Sequence, residues 1–331
     1  MKKLFLLLAC AVLLLPLPNA SAAWPERPIR LIVAFPPGGG SDTFCRLTAP
    51  LLEKELGVRV IVNNMPSGTG ASAMAYVWNA AHDGYTWCSA NTTQLGIPVA
   101  TGIKTTAKDW SYYIAGGGIN MIFVSKESGI KNLDEFLAAA RQPEKFVFAT
   151  PAMSGVYWDL ELIKKNLNLP VKIAAYAGAA DAILAVLSGE TTGALFSMTE
   201  VQSHVQAGTL IPIAVVSQDQ PLMVGNKSIP PLSSSAPEWE ARKAIKQFQG
   251  YVLPADIPQE AATRINAAFL KIMDSPELAA VIEEWQWQRY GLFGKAAAEF
   301  AANLESALSY IQYDLGLAKF SPETFGIKRI E

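Results

Sequence analysis

Short apolar runs alternate with helix-length amphipathic segments through the first part of the chain after residue 24. The runs "IRLIVAF" (29–35), "VRVIVNN" (58–64) and "YTWCSA" (85–90) predict strands, and the segments between them predict helices over residues 42–56 and about 70–81. This strand–helix order is typical of a parallel sheet covered by helices. The apolar face of the first predicted helix consists of Phe44, Leu47, Leu51, Leu52 and Leu56.

The alternation starts again after "AGGGIN" (115–120), which predicts a second α/β unit. Strands are predicted at 121–125, 146–150, 171–176, 193–197 and 210–217. The helices between them are predicted to begin near Asn132, Ser154, Ala180 and Glu200. Residues 220–240 are rich in proline and serine and predict a long surface loop.

After one more predicted strand, "FQGYVLP" (248–254), the remaining chain reads as helices, including a last one whose apolar face must pack on another surface. These helices most economically return to the first unit. We therefore predict a leader (1–22), one lobe from residues 23–120 with 249–331, and a second lobe from residues 121–248. Two crossings near residues 120 and 248 make a hinged cleft, a common place for small ligands.

The N-terminus has the organisation of a secretory signal. Lys2 and Lys3 precede an apolar run over 4–15, and small residues lead to a predicted cleavage site near Ala22. The alternative is a lipid anchor on Cys10, which we rank lower because the apolar run before it is very short and continues beyond it. The N-terminus therefore predicts an exported protein.

Composition and charge narrow the function classes. Half of the residues are apolar and 17% are charged, which suits one large or two medium globular domains. Loss of the leader removes two lysines and no acid, so the formal charge changes from −2 to −4 and disfavours nucleic acid as a partner. Of the cysteines, Cys45 and Cys88 remain, and either a disulfide or two free thiols is compatible with the sequence.

The stretch "FPPGGGSDTFCR" (35–46) joins a predicted strand to a predicted helix. Backbone N–H groups of residues 38–43 can converge there on an anion at the positive end of the helix. The alternative is a tight turn with Ser41 or Asp42 as a simple N-cap. A nucleotide site is disfavoured because the lysine of a Walker A loop is missing and Thr43 stands where a dinucleotide fingerprint has its last glycine.

A second glycine-rich loop, "NNMPSGTGASA" (63–73), also joins a strand to a helix. Its glycines match a loose dinucleotide pattern, but the loop follows the second strand and lacks an acidic residue at the expected distance. We interpret residues 67–71 as a second wall of N–H and hydroxyl donors facing the first loop.

Residues for catalysis are few. His82 and His204 have no partners at metal-ligand spacing, and no G-x-S-x-G nucleophile motif occurs. We therefore expect no cofactor, no metal and no enzymatic activity, with a secreted α/β enzyme acting on a small anion as the alternative.

In the second unit, "TPAMSGVYWDL" (150–160) and "AYAGAADAI" (175–183) each end a strand and begin a helix. Ser154 and Asp181 either cap these helices or face the cleft, and Tyr157 and Trp158 are either core or cleft aromatics. If Asp181 faces the cleft, it favours an amine or hydroxyl on the ligand.

Four stretches, "WPERPIRLIVAFPPGGGSDTFCRL", "VIVNNMPSGTGA", "DGYT" and "YAGAADAILAVLSGETTGALF", together resemble the Bug family, the substrate-binding proteins of tripartite tricarboxylate transporters. The resemblance implies a monomeric periplasmic protein with a type II-like periplasmic-binding-protein fold: two α/β lobes, each a mostly parallel sheet flanked by helices. It implies closure over a small di- or tricarboxylate, which is delivered to a membrane permease of one large and one small subunit.

The resemblance also implies a set of ligand-binding positions, with one carboxylate held by the two glycine loops. The chain departs from the family at Tyr157, Ala177 and Ser197, so we expect the opposite, selective end to differ, and Tyr157 with Trp158 would suit a larger or aromatic acid. The predicted ligand-binding residues are Phe35, Pro37, Gly38, Gly39, Gly40, Ser41, Asp42, Ser67, Gly68, Thr69, Gly70, Ala71, Asn91, Ser154, Tyr157, Trp158, Tyr176, Asp181 and Ser197.

Overall fold

The computed structural model describes residues 24–67, 69–143, 145–240 and 245–330, so the predicted leader lies outside the described residues. In chain order the strands are β1 (Ile29–Val33), β2 (Val60–Asn64), β3 (Thr86–Asn91), β4 (Trp110–Gly118), β5 (Met121–Ser125), β6 (Val147–Pro151), β7 (Lys172–Tyr176), β8 (Gly193–Phe196), β9 (Leu210–Val215), β10 (Leu222–Val224), β11 (Lys227–Ile229), β12 (Gln249–Pro254) and β13 (Trp287–Leu292). The α-helices are α1 (Gly40–Leu56), α2 (Ala71–Trp78), α3 (Ile97–Thr101), α4 (Leu133–Ala140), α5 (Gly155–Asn166), α6 (Ala179–Leu187), α7 (Met198–Gln206), α8 (Gln259–Met273), α9 (Pro276–Glu284) and α10 (Gly294–Asp314).

Two sheets form the centres of two lobes. The first has the order β13-β4-β12-β3-β1-β2 and the second β7-β6-β8-β5-β9. The predicted two-lobed α/β architecture is confirmed, and the predicted strands lie within two residues of those observed. Strands β1–β4, β12 and β13 share one sheet and β5–β9 the other, while the exact lobe boundaries stay a prediction.

The sheets are mixed in direction, which corrects the expectation of mostly parallel strands. Strand β1 is parallel to β2 and β3, and β6 is parallel to β7 and β8. Strands β12 and β5 run antiparallel to both of their neighbours. The reversal arises where the chain passes between lobes, because β4 leads directly into β5 and β12 carries the chain back.

Strand β4 was missed because its three glycines resemble a turn. A Cβ atom added to Gly116 would lie 2.7 Å from the carbonyl oxygen of Gln288, and one on Gly117 would lie 1.7 Å from that of Gln247. The glycines are therefore required by the close approach of neighbouring backbones within a sheet.

Two further expectations were wrong. Residues 220–240 are not one loop, since β10 and β11 pair as an antiparallel hairpin. The chain after residue 254 is not all helical, since β13 adds to the edge of the first sheet beside β4. Neither segment has the long alternating pattern that identifies a strand from sequence alone.

Apolar clusters cover both faces of each sheet. Trp158 of α5 is fully buried in a cluster of the first lobe, where it joins Phe248 and the apolar face of α10. Cys45 and Cys88 are buried free thiols. Within the described part of the chain, no helix combines the length and apolar character needed to span a bilayer.

The two chain crossings are joined by one buried carboxylate. Asn120 in the first crossing donates to Asp159 Oδ2 at 2.7 Å, and the backbone N–H of Ile245 in the second donates to Asp159 Oδ1 at 2.7 Å. Asp159 is fully buried, and burial raises its pKa from 3.8 to about 7 despite both hydrogen bonds. Asp159 of α5 thereby connects the two chain crossings.

We predict that Asp159→Asn keeps the fold and changes its pH dependence. Asn120 Oδ1 has no partner, so a flipped Asn120 amide can accept from the new side chain. Because the raised pKa disfavours the charged carboxyl in the folded state, wild-type stability contributed by Asp159 falls as pH rises from 3.8 to about 7. In urea unfolding at pH 5, 6 and 7, the free energy of unfolding of the variant relative to wild type should increase by up to about 1.4 kcal/mol per pH unit.

The matched control is Asp134→Asn, since Asp134 is exposed in the first turn of α4. It removes the same charge without contacting either crossing, and so gives the baseline at each pH. A pH-independent stability difference between Asp159→Asn and wild type would contradict the assignment of a raised pKa to this hinge carboxyl.

Candidate functional site

A cavity of about 230 Å³ lies between the two lobes. This is smaller than the roughly 300–1,000 Å³ of drug-sized pockets and suits a small metabolite. Its walls come from turns that follow strands of both sheets, together with the second crossing. Parallel strands bring their carboxyl ends to one edge of a sheet, and here two such edges face each other.

The first lobe contributes the glycine-rich turn and the start of α1. Gly38 has φ of +81°, a left-handed conformation that favours glycine, and Gly39 is the N-cap. No side chain caps this helix, so the N–H groups of its first turn remain available at the cavity. The positive end of the helix dipole therefore opens into the cleft.

Asp42 holds this turn in place from behind. Asp42 is buried, and its side chain accepts hydrogen bonds from Gly38 N at 2.9 Å, Asn64 Nδ2 at 2.8 Å and Arg46 Nε at 2.9 Å. Burial by itself raises the pKa of Asp42, but these bonds and the Arg46 charge outweigh it, so the pKa lies below its ordinary 3.8. Asp42 thus supports the turn instead of lining the cavity.

A network of hydrogen-bonded polar side chains lines the cavity on the side of the first lobe. The Ser41 hydroxyl donates to Gln249 Oε1 at 2.8 Å and accepts from Asn91 Nδ2 at 3.0 Å. Asn91 and Gln249 are opposite each other in the antiparallel pairing of β3 with β12. All three side chains line the cavity, and the network leaves Gln249 Nε2 without an assigned acceptor among the described residues.

The second lobe supplies the ends of β6, β7 and β8. Ser154 caps α5 by accepting from Tyr157 N at 3.2 Å, and Asp181 lies in the first turn of the uncapped helix α6. Glu200 is in the first turn of α7, where its Oε2 accepts from the Ser197 hydroxyl at 2.6 Å in a capping box. Burial raises the pKa of Glu200 in spite of these bonds.

The structure brings part of the predicted set to the cavity. Phe35, Pro37, Gly39, Gly40, Ser41, Asn91, Ser154 and Asp181 line it. Gly38, Asp42, Ser67, Thr69, Gly70, Ala71, Tyr157, Trp158, Tyr176 and Ser197 do not line it, and Gly68 lies outside the described residues.

The second glycine loop is separated from the cavity by an aromatic ring. Gly70 has φ of +84°, and a Cβ atom there would lie 3.5 Å from Phe35 Cζ. Phe35 itself lines the cavity. Residues 67 and 69–71 therefore stand behind the first loop and do not face it across a ligand, which departs from the expected arrangement of two opposing walls.

The aromatic pair of α5 also points elsewhere. Tyr157 and Trp158 pack edge to face with ring centroids 4.8 Å apart, within the apolar cluster that also contains Phe248. Tyr176 donates to Glu190 Oε1 at 2.8 Å, and Ser197 belongs to the capping box and lines a smaller adjoining cavity. The expectation of an aromatic acid, which depended on Tyr157 and Trp158, has no support from the cavity lining.

Three polar side chains that line the cavity were not predicted from the sequence. Glu200, Gln247 and Gln249 line the cavity, and Gln247 Nε2 is buried without a partner among the described residues. Glu200 could have been suspected from the S-x-x-E spacing at a helix start. The glutamines lie beside and within an apolar strand, where no local signal marks them.

The histidines are outside this site. His82 contacts Asp256 and the carbonyl of Trp78, and neither histidine lines the cavity. Among the described residues, no group of three or more His, Cys, Asp or Glu side chains has a metal-binding arrangement.

Comparison with protein families finds a match to the tripartite tricarboxylate transporter family receptor over residues 44–311. The chain is also similar to the UPF0065 protein in the gbd 5′ region of Cupriavidus necator. The two are 26% identical over 305 residues, which cover 89% of this chain and 90% of that protein.

Solved structures show the same fold. A TctC solute-binding protein from Polaromonas, without ligand, has a TM-score of 0.67 and 26% identity over 88% of this chain and 99% of that chain. MatC from Rhodopseudomonas palustris, with bound malate, has a TM-score of 0.75 and 19% identity over 87% of this chain and 99% of that chain.

We predict that Asp42→Ala lowers the free energy of unfolding by about 1.5–3 kcal/mol, since it removes hydrogen bonds to a buried charged acceptor. The loss should be largest at neutral pH and should shrink as pH falls below 3.8 toward the lower pKa at which the folded wild-type carboxyl protonates. Urea unfolding at several pH values measures it. Asp134→Ala is the control, because it removes an exposed acid from another first helical turn; an equal loss in both variants would contradict the anchoring role.

Proposed function

The chain belongs to the tripartite tricarboxylate transporter receptor family, and from that premise we propose that it captures a small organic carboxylate in the cleft between its lobes. Proteins of this family are solute-binding receptors and not enzymes, so the alternative of a secreted enzyme is not favoured.

One observation carries the proposal: the uncapped first turn of α1 opens at the cavity beside unpartnered amide donors. Backbone N–H groups at a helix start favour a carboxylate. Gln247 Nε2 is buried without a partner, and Gln249 Nε2 lies 3.4 Å from the position of a Cβ atom on Gly40. A buried donor without an acceptor is costly, and a ligand oxygen would satisfy it.

The cavity lining supports an anion held by neutral donors. No lysine or arginine is among the lining residues that the structure describes. The similarity in fold to MatC, which holds malate, is consistent with a small acid in this cleft. The predicted residues that line the cavity, from Phe35 to Ser41 with Asn91, Ser154 and Asp181, are the ones we propose to contact the ligand.

The wider context follows from the family. Its receptors are periplasmic and act with permease components. We propose that this chain is exported as a monomer after cleavage near Ala22, and that it delivers its ligand to one large and one small permease subunit.

The proposal is tested by a thermal-shift panel of mono-, di- and tricarboxylates on the mature protein. A ligand at one hundred times its dissociation constant stabilises the folded state by about 2.7 kcal/mol. At least one carboxylate should raise the melting temperature while its neutral amide does not. No shift with any acid of the panel would contradict carboxylate capture.

We further predict that Gly40→Ala weakens binding of whichever panel acid binds by about tenfold. A methyl group there would lie 3.3 Å from Glu200 Oε1 and 3.4 Å from Gln249 Nε2, inside the space proposed for the ligand. The melting temperature without ligand should change little, because the helix preference of alanine over glycine opposes the cost of a tight contact with two side-chain ends. Isothermal titration calorimetry measures the affinity.

Gly39→Ala is the matched control. Its Cβ atom would meet only the carbonyl oxygen of Pro36, at an ordinary 3.5 Å. A larger loss of affinity in Gly39→Ala than in Gly40→Ala would place the ligand away from the first turn of α1.

A further inference from the structure

Two carboxylates face the proposed ligand. Asp181 and Glu200 both line the cavity, and no cationic side chain among the described lining residues balances them. A simple dicarboxylate would add further negative charge to this space. The negative charges of a ligand and of these two carboxylates repel each other more strongly in a cleft that is partly shielded from water than in bulk solvent. The lining therefore has acceptors for which a dicarboxylate provides no donor.

Glu200 has one oxygen committed to the protein and one directed at the cleft. Its Oε2 accepts from both the hydroxyl and the backbone N–H of Ser197, at 2.6 and 3.2 Å. The hydrogen bonds that Glu200 receives from other described residues all go to Oε2. Its Oε1 lies 3.3 Å from the position of a Cβ atom on Gly40. This oxygen therefore faces the first turn of α1 across the gap between the lobes.

A donor and an acceptor lie near the same point. The Cβ position of Gly40 is 3.4 Å from Gln249 Nε2 and 3.3 Å from Glu200 Oε1. An α-ammonium carboxylate has its cationic and anionic groups on neighbouring atoms. One oxygen of such a ligand can accept from the amide and the helix N–H groups while its ammonium donates to Glu200.

We propose that the ligand is an amino acid, whose ammonium group is held by Glu200 Oε1 with support from Asp181. This assignment rests on the proposed function, since it names the class of carboxylate that the cleft selects. Glu200 is the stronger acceptor of the two because Asp181 is exposed to solvent.

The electrostatic state of Glu200 agrees with this assignment. Burial raises its pKa, because the carboxylate has lost water without gaining a cationic partner from the chain. A bound ammonium would supply that partner and favour the ionised form.

The test compares acids of one carbon skeleton that differ in a single substituent. The probes are propionate, lactate and L-alanine; succinate, malate and L-aspartate; and glutarate, 2-hydroxyglutarate and L-glutamate. Isothermal titration calorimetry on the mature protein should rank the amino acid first in any set that binds, by at least tenfold over the unsubstituted acid.

The decisive variant is Glu200→Gln. Glutamine also serves in a capping box, so α7 should stay intact, which far-UV circular dichroism checks. We expect the amino acid to lose at least tenfold in affinity and the unsubstituted acid to lose none or to gain. Asp181→Asn should also weaken binding of the amino acid, by a smaller factor than Glu200→Gln.

The control is Glu127→Gln, which removes the same charge from an exposed turn of the second lobe. If the unsubstituted or hydroxy acid binds at least as tightly as the amino acid and Glu200→Gln leaves that order unchanged, the amino-acid assignment is overturned while carboxylate capture stands. If no probe of any set binds, both proposals fail together.

Discussion

The buried carboxylate of Asp42 is the constraint on which the candidate site depends. It gathers donors from Gly38, Arg46 and Asn64, and so fixes the glycine-rich turn against the start of α1. A turn with glycine at a left-handed position has little stiffness of its own, because glycine loses more conformational entropy on folding than any other residue. Asp42 provides that stiffness without occupying the cavity.

With the turn fixed, the geometry of the cleft follows from the two sheets. The register that places Gln249 opposite Asn91 brings both side chains to Ser41, while the ends of β6, β7 and β8 approach from the other lobe. Asp159 joins the two crossings behind the cavity and keeps these walls in alignment. The resulting charge pattern has neutral donors on the side of the first lobe and carboxylates on the side of the second.

The helices and strands with strong local patterns could be predicted from the sequence. The positions of residues that depend on contacts between distant parts of the chain could not. The first glycine loop was found because strand, glycines and helix follow one another in the chain. Tyr157 and Trp158 do not line the cavity, because Trp158 packs with Phe248 and with residues of α10 that are distant in the chain, whereas Ser154, the N-cap of the same helix, lines it. Gln249 and the strand glycines Gly116 and Gly117 were missed because their partners are more than a hundred residues away or in another strand.

The most direct measurement is a crystal structure of the mature protein with a panel acid bound. The account predicts a ligand carboxylate within hydrogen-bonding distance of the first-turn N–H groups of α1 and of the amide of Gln247 or Gln249. A carboxylate located at the second glycine loop, behind Phe35, or anywhere outside the cavity between the lobes would contradict it.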